Sequence, residues 1–90
     1  MLFRKFRIDR MVKKQVMPAL SQMQLGEEKY VIDKPSFRIK AEVSESGVQK
    51  FTIHELNKDK TRWSYTTYQV ANNQPPFAMR SGSYPGSWDK

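Results

Sequence analysis

The stretch Phe37-Arg38-Ile39-Lys40-Ala41-Glu42-Val43 alternates strictly between apolar and charged side chains. Because successive side chains of a β-strand point to opposite faces, this period of two is typical of a strand with one buried face. The alternation predicts that the odd-numbered residues pack on a core and that the even-numbered ones face outward. A sheet is therefore expected at the centre of the fold.

Two further segments after this stretch have the composition of strands. Residues 48–56 place Phe51 and Ile53 on one face, and residues 61–70 are rich in Thr, Tyr and Trp, which suit a pleated surface. The segments between the strands, residues 44–47 and 57–60, are polar and typical of turns. Three consecutive strands joined by short turns predict an antiparallel meander, to which residues 29–32 and residues 2–8 are candidate additions.

An amphipathic helix is predicted before the sheet, over residues 9–25. Asp9 is the expected N-cap and Gly26 the expected residue after the C-cap. Pro18 would cost about 3 kcal/mol in a helix interior, so we expect either a kink or a second short helix that begins at Pro18. The apolar stripe continues past Pro18, which favours the kink. Six positions form the stripe and fall within one half of a helical wheel: Met11, Val12, Val16, Ala19, Leu20 and Met23.

These patterns predict an α+β fold in which one amphipathic helix packs on an antiparallel β-meander of three to four strands. A chain of 90 residues fits one domain, and its 38% hydrophobic content is too high for full disorder. We assign the domain to residues 1–70 and a Pro/Gly/Ser-rich aromatic tail to residues 71–90. The tail is expected to be loosely ordered because prolines and glycines interrupt regular structure, while its aromatic residues need a surface to contact.

Several classes of chemistry are disfavoured by the composition. The chain has no cysteine, which excludes disulfides, thiolate zinc sites and cysteine nucleophiles. The absence of cysteine is also consistent with a cytoplasmic location. His54 is the single histidine, and the sequence contains neither a Gly-rich phosphate loop nor a nucleophile elbow. No run approaches the roughly 20 apolar residues of a membrane span. We therefore predict a non-enzymatic protein without cofactor, metal or integral membrane association, and no motif indicates a known family.

Positive charge is concentrated at the N-terminus. The first fourteen residues carry six basic side chains against one acidic residue, Asp9, within a chain of net charge +7. The sheet offers a second basic surface if Trp63 and Tyr65 point toward the helix together with Phe37, Ile39, Phe51 and Ile53. The opposite face would then present Arg38, Lys40, Lys50, Thr52, His54, Arg62, Ser64, Thr66 and Tyr68. A slip of one residue in the last strand would instead place Trp63 and Tyr65 among the cations.

Cations beside aromatic rings on an open sheet face are suited to single-stranded nucleic acid, because cations neutralise phosphates and rings stack on bases. The sequence therefore predicts a small basic binding module for nucleic acid, single-stranded or without sequence specificity. The predicted binding residues are Arg4, Lys5, Arg7, Arg10, Lys13, Lys14, Arg38, Lys40, Lys50, Arg62 and Tyr68.

Two other hypotheses stay open. A compact protein-binding accessory or inhibitor, of the kind that mobile elements encode, would anchor Phe77, Tyr84 and Trp88 in a protein partner. A membrane-surface protein would lay its first fourteen residues on anionic lipid, although Asp9 and the short apolar face argue against this. A homodimer is also a candidate state, because a small domain gains stability when a second copy covers part of its surface.

Overall fold

A computed structural model describes residues 8–71 and 74–86 of the chain. Residues 8–22 are helical and form α1. The strands that follow are β1 (Glu28–Lys34), β2 (Phe37–Val43), β3 (Gln49–Leu56), β4 (Arg62–Val70) and β5 (Phe77–Pro85). They form one antiparallel sheet in the order β1-β2-β3-β4-β5. The predicted α+β meander is confirmed, with five strands instead of three to four.

The fifth strand corrects the prediction of a loosely ordered tail. β5 pairs with β4 from the pair Gln69 and Phe77 to the pair Arg62 and Pro85. Proline is compatible with a strand that ends at it, and Pro85 is the last residue of β5. The tail prolines therefore lie at the two ends of a strand. They do not interrupt it, in contrast to the prediction that they prevent regular structure in this segment.

Helix α1 contains a π-helical turn, Val12–Val16, directly followed by the α-helical segment Met17–Gln22. The backbone N–H of Met17 donates to the carbonyl of Val12, five residues earlier. Pro18 lies in the first turn of the α-helical segment, where its missing N–H is tolerated. The irregularity expected at Pro18 thus takes the form of a π turn just before it.

Neither predicted cap is observed, and the helix ends three residues before the predicted position. Asp9 lies inside the helical residues and is therefore not the N-cap. The helix ends at Gln22, before the turn that contains Gly26. With a φ of 81°, Gly26 adopts a left-handed conformation, and its N–H donates to the carbonyl of Val43 at 2.8 Å. Gly26 consequently ties the connection after α1 to the end of β2.

The core lies between α1 and one face of the sheet. Val12, Val16 and Leu20 are buried on the helix. From Val12 to Leu20, eight residues of a regular α-helix would rotate about 80° beyond two full turns. The π turn contains more residues per turn and offsets this rotation, so the three side chains all face the sheet. Their buried partners are Ile32 of β1 and five odd-numbered residues of β2 and β3, which confirm the face predicted for these two strands: Ile39, Ala41, Val43, Phe51 and Ile53.

The register between β3 and β4 decides what the two faces of the sheet carry. Leu56 pairs with Trp63, and Phe51 pairs with Tyr68. Since Phe51 faces the helix, Tyr68 does as well, and its ring stacks on that of Phe51 at 5.1 Å between centroids. Trp63 and Tyr65 consequently lie on the opposite face. The faces first predicted for β4 are wrong, and the alternative with a one-residue slip is the observed arrangement.

Candidate nucleic-acid interface

The sheet face opposite α1 combines cations with aromatic rings. We call it the basic-aromatic face and define it by Arg38, Lys40, Lys50, His54, Trp63, Tyr65, Arg80 and Tyr84. The pairing of the strands places these residues in rows across the sheet. One row is Arg38, His54, Tyr65 and Gly82, the next is Lys40, Thr52, Thr67 and Arg80, and the third contains Lys50, Gln69 and Phe77.

Trp63 forms the buried base of this face. It is fully buried although α1 packs on the other side of the sheet. The guanidinium of Arg38 lies over the indole ring, 5.6 Å from its centroid, and Tyr84 pairs with Trp63 from β5. Arg38 also donates through Nε to Asp33 at 2.9 Å and to the carbonyl of Lys34 at 3.2 Å. Arg38 is therefore committed to holding the face together, with a side chain only 14% exposed.

Three rings meet in the middle of the face. Tyr65 lies 6.3 Å from His54 and 6.1 Å from Tyr84, measured between ring centroids. The Tyr84 hydroxyl and His54 Nδ1 are hydrogen-bonded at 2.9 Å. Burial lowers the pKa of His54, and the positive charges of Lys40 and Arg38 lower it further. His54 is thus a neutral hydrogen-bonding partner at pH 7, and the aromatic cluster is held by defined contacts.

The cations of the face differ in what they contact. The ammonium group of Lys40 pairs with Glu28 of β1, and the hydrogen bond to this carboxylate is the main reason that the pKa of Lys40 is raised. Lys50 on β3 and Arg80 on β5 have no ion pair with a carboxylate in the described part of the chain. Negative charge on this face lies on β1 and β2, at Glu28, Asp33 and Glu42, and Glu42 is the direct cross-strand partner of Lys50. The side of the face away from β1 is therefore the more suitable one for an anion.

The structure brings together only part of the predicted binding set. Arg38, Lys40 and Lys50 share the basic-aromatic face, as predicted. Arg62 and Tyr68 lie on the helix side of the sheet, because the register of β4 is shifted by one residue from the predicted one. Arg62 there donates to the hydroxyl of Ser83 at 3.0 Å.

The helix cations occupy another surface. Arg10, Lys13 and Lys14 are exposed on α1, and the sheet separates them from the basic-aromatic face. Arg4, Lys5, Arg7 and Trp88 lie outside the described residues. Of the remaining tail aromatics, Tyr84 contacts His54, whereas Phe77 is 45% exposed.

The predicted binding set does not contain Tyr65 or Arg80, although the alternative register with a one-residue slip places Tyr65 among the cations. Tyr65 was assigned to the core because β4 has aromatic residues in both phases of its alternation, at positions 63 and 65 and again at position 68. Arg80 was overlooked because it lies in the segment interpreted as a tail. The pairing of Thr67 with Arg80 is what places this cation on the face.

A cleft of about 810 Å³ opens on the other side of the sheet, between the start of α1 and strands β3 and β4. Its floor is formed by Phe51, Ile53 and Tyr68, and Val12 and Pro76 also line it. This lining is largely apolar, with charged residues of α1 at the rim. The cleft suits an apolar group better than a phosphate, and it is separate from the basic-aromatic face.

Residues 8–71 and 74–86 contain no cluster of three or more His, Asp or Glu side chains that could hold a metal ion. Within the same residues, no helix is long and apolar enough to cross a membrane. Comparison of the chain with protein-family models, curated proteins and solved structures finds no match. Functional inference for this α+β protein therefore depends on the geometry of its own surfaces.

Proposed function

We propose that this protein is a non-enzymatic module that binds single-stranded nucleic acid on its basic-aromatic face. The observation that carries the proposal is the position of the Tyr65 and Tyr84 rings on a sheet face that no described helix covers, with Arg80 in the row next to Tyr65 and Lys50 one row further along. Aromatic rings on a sheet stack with bases for about 1–3 kcal/mol per base, and neighbouring cations neutralise phosphates. The arrangement supplies both contributions within one surface.

The same geometry favours single strands over a duplex. Bases in a duplex already stack on each other, so rings that lie on a sheet can reach only bases that are splayed out. The cations on α1 are on the other side of the sheet, so a short nucleic-acid strand bound to the basic-aromatic face cannot contact them. Their expected contribution is to the long-range positive field that attracts a polyanion.

Fluorescence anisotropy with labelled single-stranded oligonucleotides over a range of salt concentrations tests this proposal. The double variant Lys50→Gln, Arg80→Gln removes two cations from the face, and Lys13→Gln, Lys14→Gln removes two from α1 as a matched control. We expect the first variant to bind more weakly, with a salt slope shallower by about 0.7 for each lost phosphate contact. The control should change the affinity much less.

The aromatic contribution needs its own variant. Tyr65→Leu keeps an apolar side chain over the sheet but removes the stacking surface, so we expect weaker binding and an unchanged salt slope. Absence of binding at low salt, or equal losses in the face variant and the α1 control, would overturn the proposal. Circular dichroism of each variant establishes that the fold is retained.

The second candidate function is protein binding through the tail aromatics. Its specific support is Phe77, which is 45% exposed next to Met79, 48% exposed, at the edge of the sheet. Tyr84 supports it less, because its hydroxyl is hydrogen-bonded to His54. Met79→Ser should leave oligonucleotide affinity nearly unchanged under the first proposal and weaken partner binding under the second. Phe77 does not separate the two, because it shares a row of the basic-aromatic face with Lys50.

A further inference from the structure

The two edges of the sheet are built differently. β1 forms one edge and has four charged residues among seven: Glu28, Lys29, Asp33 and Lys34. β5 forms the other edge of the described sheet and has one charged residue, Arg80, with an irregularity at Met79, where its pairing with β4 shifts between Ala78 and Arg80. Charged side chains on an edge strand prevent it from pairing with another chain, and an uncharged edge lacks this protection. Among the described residues, the regular part of the β5 edge, from Arg80 to Pro85, is therefore the better candidate for pairing with a further strand.

We propose that β5 pairs with β5 of a second copy of this chain, antiparallel and around a two-fold axis at Ser81. This register places Ser81 opposite itself and Arg80 opposite Gly82, within the part of β5 that pairs regularly with β4, and the irregularity at Met79 lies outside this central segment. Such self-complementary contacts are the usual basis of two-fold dimers. The nucleic-acid proposal is not needed for this inference, which depends on the edge strand alone.

The charge and shape of β5 fit this register. Arg80 of one copy lies opposite Gly82 of the other, so the single charged side chain of the strand faces the one residue without a side chain. A two-fold axis at Arg80 would instead place the two arginines directly opposite each other, which is unfavourable. The register therefore avoids a like-charge pair at the centre of the interface.

The ring of Tyr65 extends over Gly82 and adds a favourable contact. Its Cε1, Cζ and hydroxyl atoms lie 3.0–3.1 Å from the point that a Cβ of residue 82 would occupy. The guanidinium of Arg80 from the second copy would approach this ring at the interface, and arginine interacts favourably with an aromatic ring.

The dimer would also extend the candidate interface. Antiparallel pairing at an edge has its two-fold axis perpendicular to the sheet, so both basic-aromatic faces point the same way. The two five-stranded sheets become one surface, with the Arg80 side chains close to the axis. Phe77 and Met79, exposed in one copy, lie next to the β5 edge of the other.

Crosslinking through a single cysteine tests the register, since the native chain has no cysteine. Directly opposed residues of antiparallel strands have Cα atoms about 4.5 or 5.5 Å apart, and both distances suit a disulfide. Ser81→Cys should form a covalent dimer rapidly under mild oxidation. Gln22→Cys, on the exposed side of α1, is the control and should crosslink slowly.

Sedimentation without nucleic acid tests association itself. The wild-type chain should show a dimer whose fraction rises with protein concentration. Ser81→Lys and Ser81→Glu should each be monomeric, and an equimolar mixture should recover the dimer because the two residues face each other. A wild-type chain that stays monomeric at the highest soluble concentration, or Ser81→Cys that crosslinks no faster than Gln22→Cys, would overturn the proposal.

Discussion

Tyr65 and Gly82 are direct partners across β4 and β5, and the Tyr65 ring extends into the space that a side chain at residue 82 would fill. A glycine inside a strand weakens it, and an aromatic residue from the neighbouring strand that covers the glycine compensates for this. The same contact fixes where the Tyr65 ring lies on the basic-aromatic face. The absence of a side chain at Gly82 therefore both allows Tyr65 to cover the strand and sets the position of the Tyr65 ring in the candidate binding surface.

Gly82→Ala should move the ring without unfolding the protein. The new Cβ would lie 3.0 Å from Tyr65 Cε1, so the end of the ring has to shift. We expect thermal stability close to that of the wild type, because the displaced atoms belong to a flexible side chain and alanine restricts the unfolded chain. Oligonucleotide affinity should fall toward that of Tyr65→Leu. Unchanged affinity in Gly82→Ala would contradict a stacking role for Tyr65.

Removing acidic residues from β1 should strengthen binding. Glu28 pairs with Lys40, and Asp33 pairs with Arg38, while their own side chains are 57% and 61% exposed. Exposed ion pairs contribute only about 0–1 kcal/mol, so Glu28→Gln should fold normally and leave Lys40 available to a phosphate. Anisotropy titrations should show higher affinity and a steeper salt dependence.

Glu45→Gln is a suitable control for this charge effect, because it removes one exposed carboxylate from the turn between β2 and β3. Both variants raise the net charge by one. An equal gain in affinity from the two would mean that overall charge, and not the basic-aromatic face, determines binding.

Alternation of residue types was sufficient to predict β2 and β3 and the face that each buries. Alternation was insufficient for β4, because Trp63 and Tyr68 lie on opposite faces of the strand and each packs against other residues on its face. The length and conformation of the preceding turn decide the register. In this turn, Asn57 Oδ1 accepts the N–H of Thr61 at 2.9 Å, and Lys60 has a φ of 61°. Turn geometry of this kind is not visible in hydrophobic periodicity.

The missed fifth strand has a different physical cause. Its sequence, Phe-Ala-Met-Arg-Ser-Gly-Ser-Tyr-Pro, has weak strand propensity, and nearly all of its residues are exposed. Pairing with β4 stabilises it, together with the contacts of Tyr84 to His54 and of Tyr65 to Gly82. These are long-range contacts between separate parts of the chain. Local propensity could therefore not predict β5 or the placement of Arg80 in the candidate site.

The packing of α1 on the sheet gives a direct stability prediction. Leu20 is 1% exposed in the core, and Leu25 is 67% exposed in the turn that follows the helix. Leu20→Ala should lower the free energy of unfolding by about 2–5 kcal/mol, a large share of the stability of so small a domain. The same change at Leu25 should stay within about 0.5 kcal/mol. Urea denaturation measures both, and similar losses at the two sites would contradict the packing described here.

His54 should make the stability depend on pH near neutrality. Its pKa in the folded chain is lowered from 6.5 by burial and by the positive charges of Lys40 and Arg38, so the unfolded chain takes up a proton more readily. This contribution to the free energy of unfolding is complete above about pH 6.5 and is lost as the pH falls toward the lower pKa of the folded chain. Tyr65 and Tyr84 face His54 from β4 and β5. We expect His54→Gln to flatten the pH dependence of the urea midpoint between about pH 5 and 7, above the range in which carboxylates titrate. An identical slope in the variant and the wild type would show that His54 is not the titrating group.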